Sequence, residues 1–132
     1  MKSTSRRQFV TVLGTAASAM AMPAFVRAQA SAPVRIGWAI SKTGPFAGGA
    51  ASAQMPNYRL WVDDVNKSGG ISIAGQKRSI EVVEYDDRSQ PEEAVRAVER
   101  LIGQDKVDLL LPPWGTGMNM AVAPAFKKGD FP

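Results

Sequence analysis

The stretch SKTGPFAGG, Ser41 to Gly49, sets a lysine, a threonine and three glycines just after an apolar run, where a nucleotide-binding chain would cradle a phosphate. A Walker A loop needs a glycine immediately before its Lys-Ser/Thr pair, because the backbone wraps the phosphates there. Here Ser41 precedes Lys42-Thr43, and the nearest upstream glycine, Gly37, falls inside the apolar run. A dinucleotide site fails as well. Gly44, Gly48 and Gly49 lack G-x-G-x-x-G spacing, and the next strand-ending acids, Asp86 and Asp87, come about forty residues later instead of about twenty. The glycines and Pro45 therefore either shape a turn or line a pocket for something other than phosphate.

Asp86-Asp87 invites a cation site or the acidic cluster of a phosphorylated receiver domain, but a receiver also needs a lysine and a phosphorylated aspartate at other strand ends. The local hydrogen-bonding habits of aspartate point instead to acids that cap a loop and help hold the following helix. Asp63 and Asp64, followed by Lys67, read as a solvated helix face. The chain has no cysteine and no histidine. Disulfides, thiolate metal sites, the usual zinc sites and nucleophiles activated by histidine are thereby excluded from these 132 residues.

The formal charge of +4 is misleading. Lys2, Arg6, Arg7 and Arg27 lie in a segment, Met1 to Ala30, that contains no acid, and from Ser31 onward the two signs balance. The basicity belongs to the N-terminus and is no nucleic-acid-binding face. That segment has a basic start, a weakly apolar run from Phe9 to Val26, and a small-x-small site at Ala28-Gln29-Ala30. It reads as an export signal cleaved after Ala30; as a retained membrane span it would be short and weak. Ser5-Arg6-Arg7-Gln8-Phe9-Val10 resembles the twin-arginine motif, although paired arginines also serve the general secretory route. The mature chain is expected to work in the periplasm.

The elements that must position the loops alternate between strand and helix. Val34 to Ile40 reads as a buried first strand closed by a Gly-Pro turn. Tyr58, Trp61, Val62 and Val65 fall at i, i+3, i+4 and i+7, a helical stripe that Gly69-Gly70 ends. Pro56 leaves two options: a regular helix beginning there, or a longer helix that kinks. A hairpin-like link at Ala74-Gly75 leads to a second strand, Ile80 to Tyr85. Ser89 is placed to cap a second helix with Pro91, Glu92 and Glu93 in its first turn and Ala94, Val95, Val98, Leu101 and Ile102 as its buried stripe. Val107 to Leu111 reads as a third strand, and about Met118 to Lys128 as a third helix. This order implies an α/β fold: parallel strands with helices on both faces. If the strand order begins 2-1-3, it reverses between the first and third strands, and Ser41–Gly49 and Pro112–Gly117 meet at the crevice.

From Val34 onward, VRIGWAISKTGPFAGG, VDDVNKSGGI, EVVEYDDRSQPEEAVRAVERLIGQDKVDLLLPPWGTG and AVAPAF resemble, in order, the opening of the periplasmic solute-binding proteins of ABC importers of the branched-chain amino acid (Leu/Ile/Val-binding) type. The resemblance implies a type I periplasmic-binding-protein fold, two α/β lobes closing around a small solute that is handed to a membrane permease, with no catalysis and no cofactor. It also implies that residues 31–132 are an incomplete N-terminal part of the first lobe. The third strand of that piece would lack a neighbour, and poor solubility is expected of residues 31–132 alone. Membrane contact would come only through the transporter.

In that family the segment matching Trp114-Gly115-Thr116-Gly117 serves the ligand carboxylate, with a hydroxyl from the position of Thr116. Physical chemistry agrees: free N–H groups and the dipole at a helix start favour an anion, and Gly115 and Gly117 let the backbone approach. An ordinary helix N-cap at Thr116 is the plain alternative, and both roles are compatible. Thr43 would add a polar contact, and Phe46 and Trp114 apolar walls; simple core packing competes with ligand contact for both aromatics. Gly48 and Gly49 stand where some relatives carry an aromatic. Two other functions share these elements: an extracytoplasmic sensor domain of a signalling receptor, and an exported α/β enzyme whose catalytic groups lie elsewhere.

Overall fold

The computed structural model describes residues 32–132; the leader features at Arg6, Arg7, Ala28 and Ala30 lie outside them. A three-stranded parallel sheet is ordered β4-β1-β5, with β1 (Val34–Ile40) in the middle, β4 (Ile80–Asp86) on one side and β5 (Leu109–Leu111) on the other. This is the expected 2-1-3 order. β1 runs in register with β4 from Val34 opposite Ile80 to Ile40 opposite Asp86, and pairs with β5 from Ile36 opposite Leu109 to Trp38 opposite Leu111. The first and second strands were legible from their β-prone apolar runs. The third is shorter than its apolar run, because Val107 precedes the ladder and packs beneath α3 (Pro91–Gly103).

Alternation along β1 divides the core in two, as strand geometry requires. Val34, Ile36, Trp38 and Ile40 pack toward α2 (Met55–Lys67), joined by Val62, Ile80 and the half-buried Tyr58, Val65 and Trp114. Ala39 faces the opposite layer, where α3 contributes Ala94, Ala97, Val98 and Leu101, and α4 (Thr116–Lys128) contributes Met118, Val122 and Ala125. A β-carbon at Gly37 would stand 2.8 Å from Leu101 Cδ2, so the glycine inside the strand serves close helix–sheet packing. Helices thus cover both faces, as the sequence implied.

The region before Pro56 resolves in an unexpected way. Helical backbone already begins at α1 (Ala47–Gly49), passes through a π-helical segment at Ala50–Gln54, and continues as α2. In that wide turn the Met55 N–H reaches back to Ala50 O. Proline has no N–H and its ring crowds the carbonyl four residues back; a π turn just ahead gives it room. The Asn57 side chain donates to the Ala53 carbonyl in the same stretch. Trp61 departs from the expected stripe. It stays 41% exposed because the contact with the sheet runs along Tyr58, Val62 and Val65, leaving the indole at its margin.

The hairpin at Ala74-Gly75 is present, joining β2 (Ile71–Ile73) to β3 (Gln76–Arg78) antiparallel, with both turn residues at positive φ. That is the backbone of a two-residue hairpin whose twist matches its strands. Among the described residues the outer edge of β5 is unpaired. Beside it lies an open cavity of about 470 Å³ lined by Leu110, Val122, Phe126 and Phe131.

Candidate functional site

Three strand ends, Ile40, Asp86 and Leu111, open on the same end of the parallel sheet, and the two predicted loops leave from the first and third of them. The loops touch. Trp114, half-buried, lays its indole over Gly49, where a β-carbon would stand 2.6 Å from Nε1. The absence of a side chain at Gly49 is therefore what admits the indole, so the aromatic after β5 fills the space left by one glycine after β1.

The Ser41–Gly49 loop is fastened to the end of β4 and the turn beyond it. Asp86 Oδ1 accepts the backbone N–H groups of Arg88 at 2.8 Å, Lys42 at 3.0 Å and Thr43 at 3.3 Å, while Oδ2 accepts the Thr43 hydroxyl at 2.8 Å. Burial works to raise the Asp86 pKa, but these hydrogen bonds outweigh it and hold the carboxyl below its ordinary range. Asp87 is fully buried, accepting from Ser41 Oγ at 2.6 Å and from Ser89 N at 2.8 Å, with Oδ2 unpartnered among the described residues. Burial pushes its pKa up, and the neighbouring Asp86 charge adds to that. The two acids hold the loop as expected of them, although mainly the loop before them in space and not the helix after them in sequence.

Ser89 corrects the sequence reading. The N-cap of α3 is Gln90, and no side-chain cap bond forms there. Ser89 sits at φ 60° and turns away from the helix, donating its hydroxyl to Thr43 O at 2.7 Å and accepting from Phe46 N at 3.0 Å. Lys42 is also committed elsewhere: its Nζ lies 2.6 Å from Glu84 Oε1, which Arg59 approaches at 3.3 Å, while Trp38 Nε1 donates to Oε2 at 2.6 Å. Burial tends to raise the Glu84 pKa, and these partners more than reverse it. The lysine of the glycine loop thus neutralises a carboxylate at the sheet edge instead of reaching toward a phosphate.

The second loop has its own supports. The Pro112 carbonyl accepts from Gln54 Nε2 at 2.8 Å and Tyr58 Oη at 3.1 Å, and Asn119 Nδ2 reaches Pro113 O at 3.0 Å and Gly115 O at 2.8 Å. Gly115, at φ 90°, is the N-cap of α4 without a side-chain bond, so Thr116 is the first helical residue and not the cap. Its hydroxyl makes no hydrogen bond among the described residues, and Thr116 and Gly117 are exposed. The structure therefore leaves a free hydroxyl and an open helix N-terminus at the crevice. Phe46 is 43% exposed, which removes the core-packing reading for it, whereas Trp114 joins the α2-side core at its margin.

Gln54, Asn119 and Ser89 were not read from the sequence as supports of the crevice. An Asn within the first turn of a helix that follows a Gly-rich loop was the one available signal, since its side chain can reach the preceding carbonyls.

The two loops meet at the topological switch point of a parallel sheet, the place where open α/β sheets hold their ligands. The family described as periplasmic binding protein matches residues 33–132, and the chain belongs to it. The branched-chain amino acid transporter substrate-binding protein LivJ from Streptococcus pneumoniae, in complex with isoleucine, is similar at 30% identity and a TM-score of 0.66, over 76% of this chain and 27% of that one. A substrate-binding periplasmic protein from Ralstonia solanacearum is 26% identical with a TM-score of 0.63, over 75% and 27% of the respective chains. An ABC-transporter solute-binding protein from R. palustris, in complex with benzoate, is 25% identical with a TM-score of 0.63, over 76% and 26%. The chain spans about a quarter of the length of these structures.

Proposed function

We propose that residues 31–132 form the opening part of one lobe of an extracytoplasmic solute receptor that captures a small carboxylate-bearing solute, an amino acid or related amide, and delivers it to the permease of an ABC importer. The observation that carries this reading is the contact of Trp114 with Gly49 at the switch point, beside the unbonded Thr116 hydroxyl and the N-terminus of α4. Exposed helix N–H groups and one hydroxyl suit a carboxylate, and Gly115 and Gly117 leave it room. Phe46 and Trp114 supply apolar walls, and Thr43 a polar contact on the opposite loop. Such a site binds without chemistry; ligand binding shifts the balance between an open and a closed form, and the transporter reads the closed one.

The leader at residues 1–30 and the names of the similar structures support export, an amino-acid-like solute and a transporter partner. The test is a thermal-shift panel on the full-length protein with the common amino acids, their amides and short aliphatic or aromatic carboxylates. A concentration-dependent rise in melting temperature for one chemical group of this panel is expected. No rise with any member would contradict the reading.

A further inference from the structure

We propose that Asn119 is a positioning residue of the second loop: by holding the carbonyls of Pro113 and Gly115 it turns the N–H groups of Trp114 and Thr116 toward the crevice, where they favour an anionic group over its neutral amide. The inference rests on the solute-binding reading and names a residue that acts on the solute only through the backbone.

The two hydrogens of the Asn119 carboxamide go to two carbonyls, Pro113 O at 3.0 Å and Gly115 O at 2.8 Å. A carbonyl only accepts, so the amide nitrogen, and not its oxygen, must face the loop. No peptide bond among the described residues is cis, and in a planar trans peptide the C=O and the N–H of the next residue point in opposite directions. Fixing Pro113 O therefore fixes the direction of the Trp114 N–H, and fixing Gly115 O that of the Thr116 N–H. Neither N–H has an acceptor among the described residues.

The two sides of the loop differ in what they reach. Asn119 lines the cavity beside the outer edge of β5, whereas the Trp114 indole extends the other way, to Gly49 after β1. The two carbonyls thus turn to the outer side and the two N–H groups to the side of the crevice. The Pro112–Pro113 peptide has no N–H to offer, and its carbonyl is engaged by Gln54 and Tyr58. What the loop shows the crevice is donors, with the acceptors of Pro112, Pro113 and Gly115 taken. An anion gains from that arrangement; a carboxamide, whose NH2 group needs an acceptor, does not. Gly115 O also receives the Asn119 backbone N–H at 3.1 Å, so loss of the side chain releases chiefly the Pro113–Trp114 peptide.

The experiment measures, by titration calorimetry on the full-length protein, the affinity ratio of L-isoleucine to L-isoleucinamide, in which a carboxamide replaces the carboxylate. Asn119→Leu removes both donors and keeps a side chain of similar shape in a helix that accepts leucine well. Asn119→Ala decides the question if that variant fails to fold. The wild type is expected to favour isoleucine, and each folded variant to lower that ratio about tenfold, the size of one hydrogen bond to a charged group. A purely structural Asn119 would instead lower the melting temperature or weaken both probes alike. A ratio unchanged in the folded variants, or equal wild-type affinity for both probes, overturns the assignment and leaves the solute-binding reading standing. Binding of neither probe by the wild type overturns the amino-acid reading, and the assignment with it.

Discussion

The indole of Trp114 lies over the α-carbon of Gly49, so that the loop after β5 closes onto the helix that follows β1, and a β-carbon at Gly49 would stand 2.6 Å from Nε1. Gly49→Ala is therefore expected to push the indole away. Because the neighbour is a ring packed against the α2-side core, the cost should be about 1–3 kcal/mol in stability, the usual range for overpacking. Chemical denaturation measures it, and a red-shifted Trp emission would accompany it. Unchanged stability and emission would mean that the two loops do not bear on each other.

Ser89 joins the first loop to the start of α3 by donating to Thr43 O and accepting from Phe46 N. Ser89→Ala leaves both backbone groups short of a partner in a largely buried position, and should cost about 1–3 kcal/mol. Were Ser89 an ordinary helix cap, the loss would instead appear as fraying of α3. Hydrogen exchange separates the two: the account predicts faster exchange at Phe46 with the α3 amides still protected.

Adjacent acids should respond to pH with opposite signs. The Asp86 pKa is lowered in the fold, so the stability it contributes is present above the unfolded value of about 3.9 and is lost as pH falls through the folded one. The Asp87 pKa is raised, so its contribution is present below the unfolded value and is lost as pH rises through the folded one. Melting temperatures between pH 3 and 7 should therefore fall less steeply with acid in Asp86→Asn, and more steeply in Asp87→Asn, than in the wild type (~pH 3–7, spanning the ordinary carboxylate range). Parallel profiles for all three proteins would contradict this assignment of charge.

Much of the fold was legible because periodicity reports burial. The run Val34 to Ile40 and the stripe Ala94, Val98 and Leu101 announce a strand and a helix without any knowledge of what they pack against, and both are found as read. Gly and Pro punctuation placed the starts of the two crevice loops, but both end earlier than read, with helix from Ala47 in the first and from Thr116 in the second. What escaped was decided by partners distant in sequence. Ser89 stands just ahead of Pro91, as caps do, yet its hydroxyl is claimed by a loop more than forty residues upstream. Gln54 and Tyr58 hold a carbonyl at Pro112, and nothing periodic joins them. Trp61 obeys the helical spacing but meets no neighbour that would bury it, and the π turn before Pro56 reconciles two alternatives that local rules treat as exclusive.

The most direct test of the central claim is titration calorimetry of the full-length protein and its Thr116→Ala variant with the strongest ligand from the thermal-shift panel. The Thr116 hydroxyl makes no hydrogen bond among the described residues, and Thr116 begins a helix in which alanine is at least as well tolerated. The account predicts saturable one-to-one binding by the wild type, weakened by about 1–3 kcal/mol in the variant, with the melting temperature of the ligand-free protein nearly unchanged. Equal affinity in the two proteins would contradict the carboxylate role of Thr116, and with it the placement of the solute between these two loops.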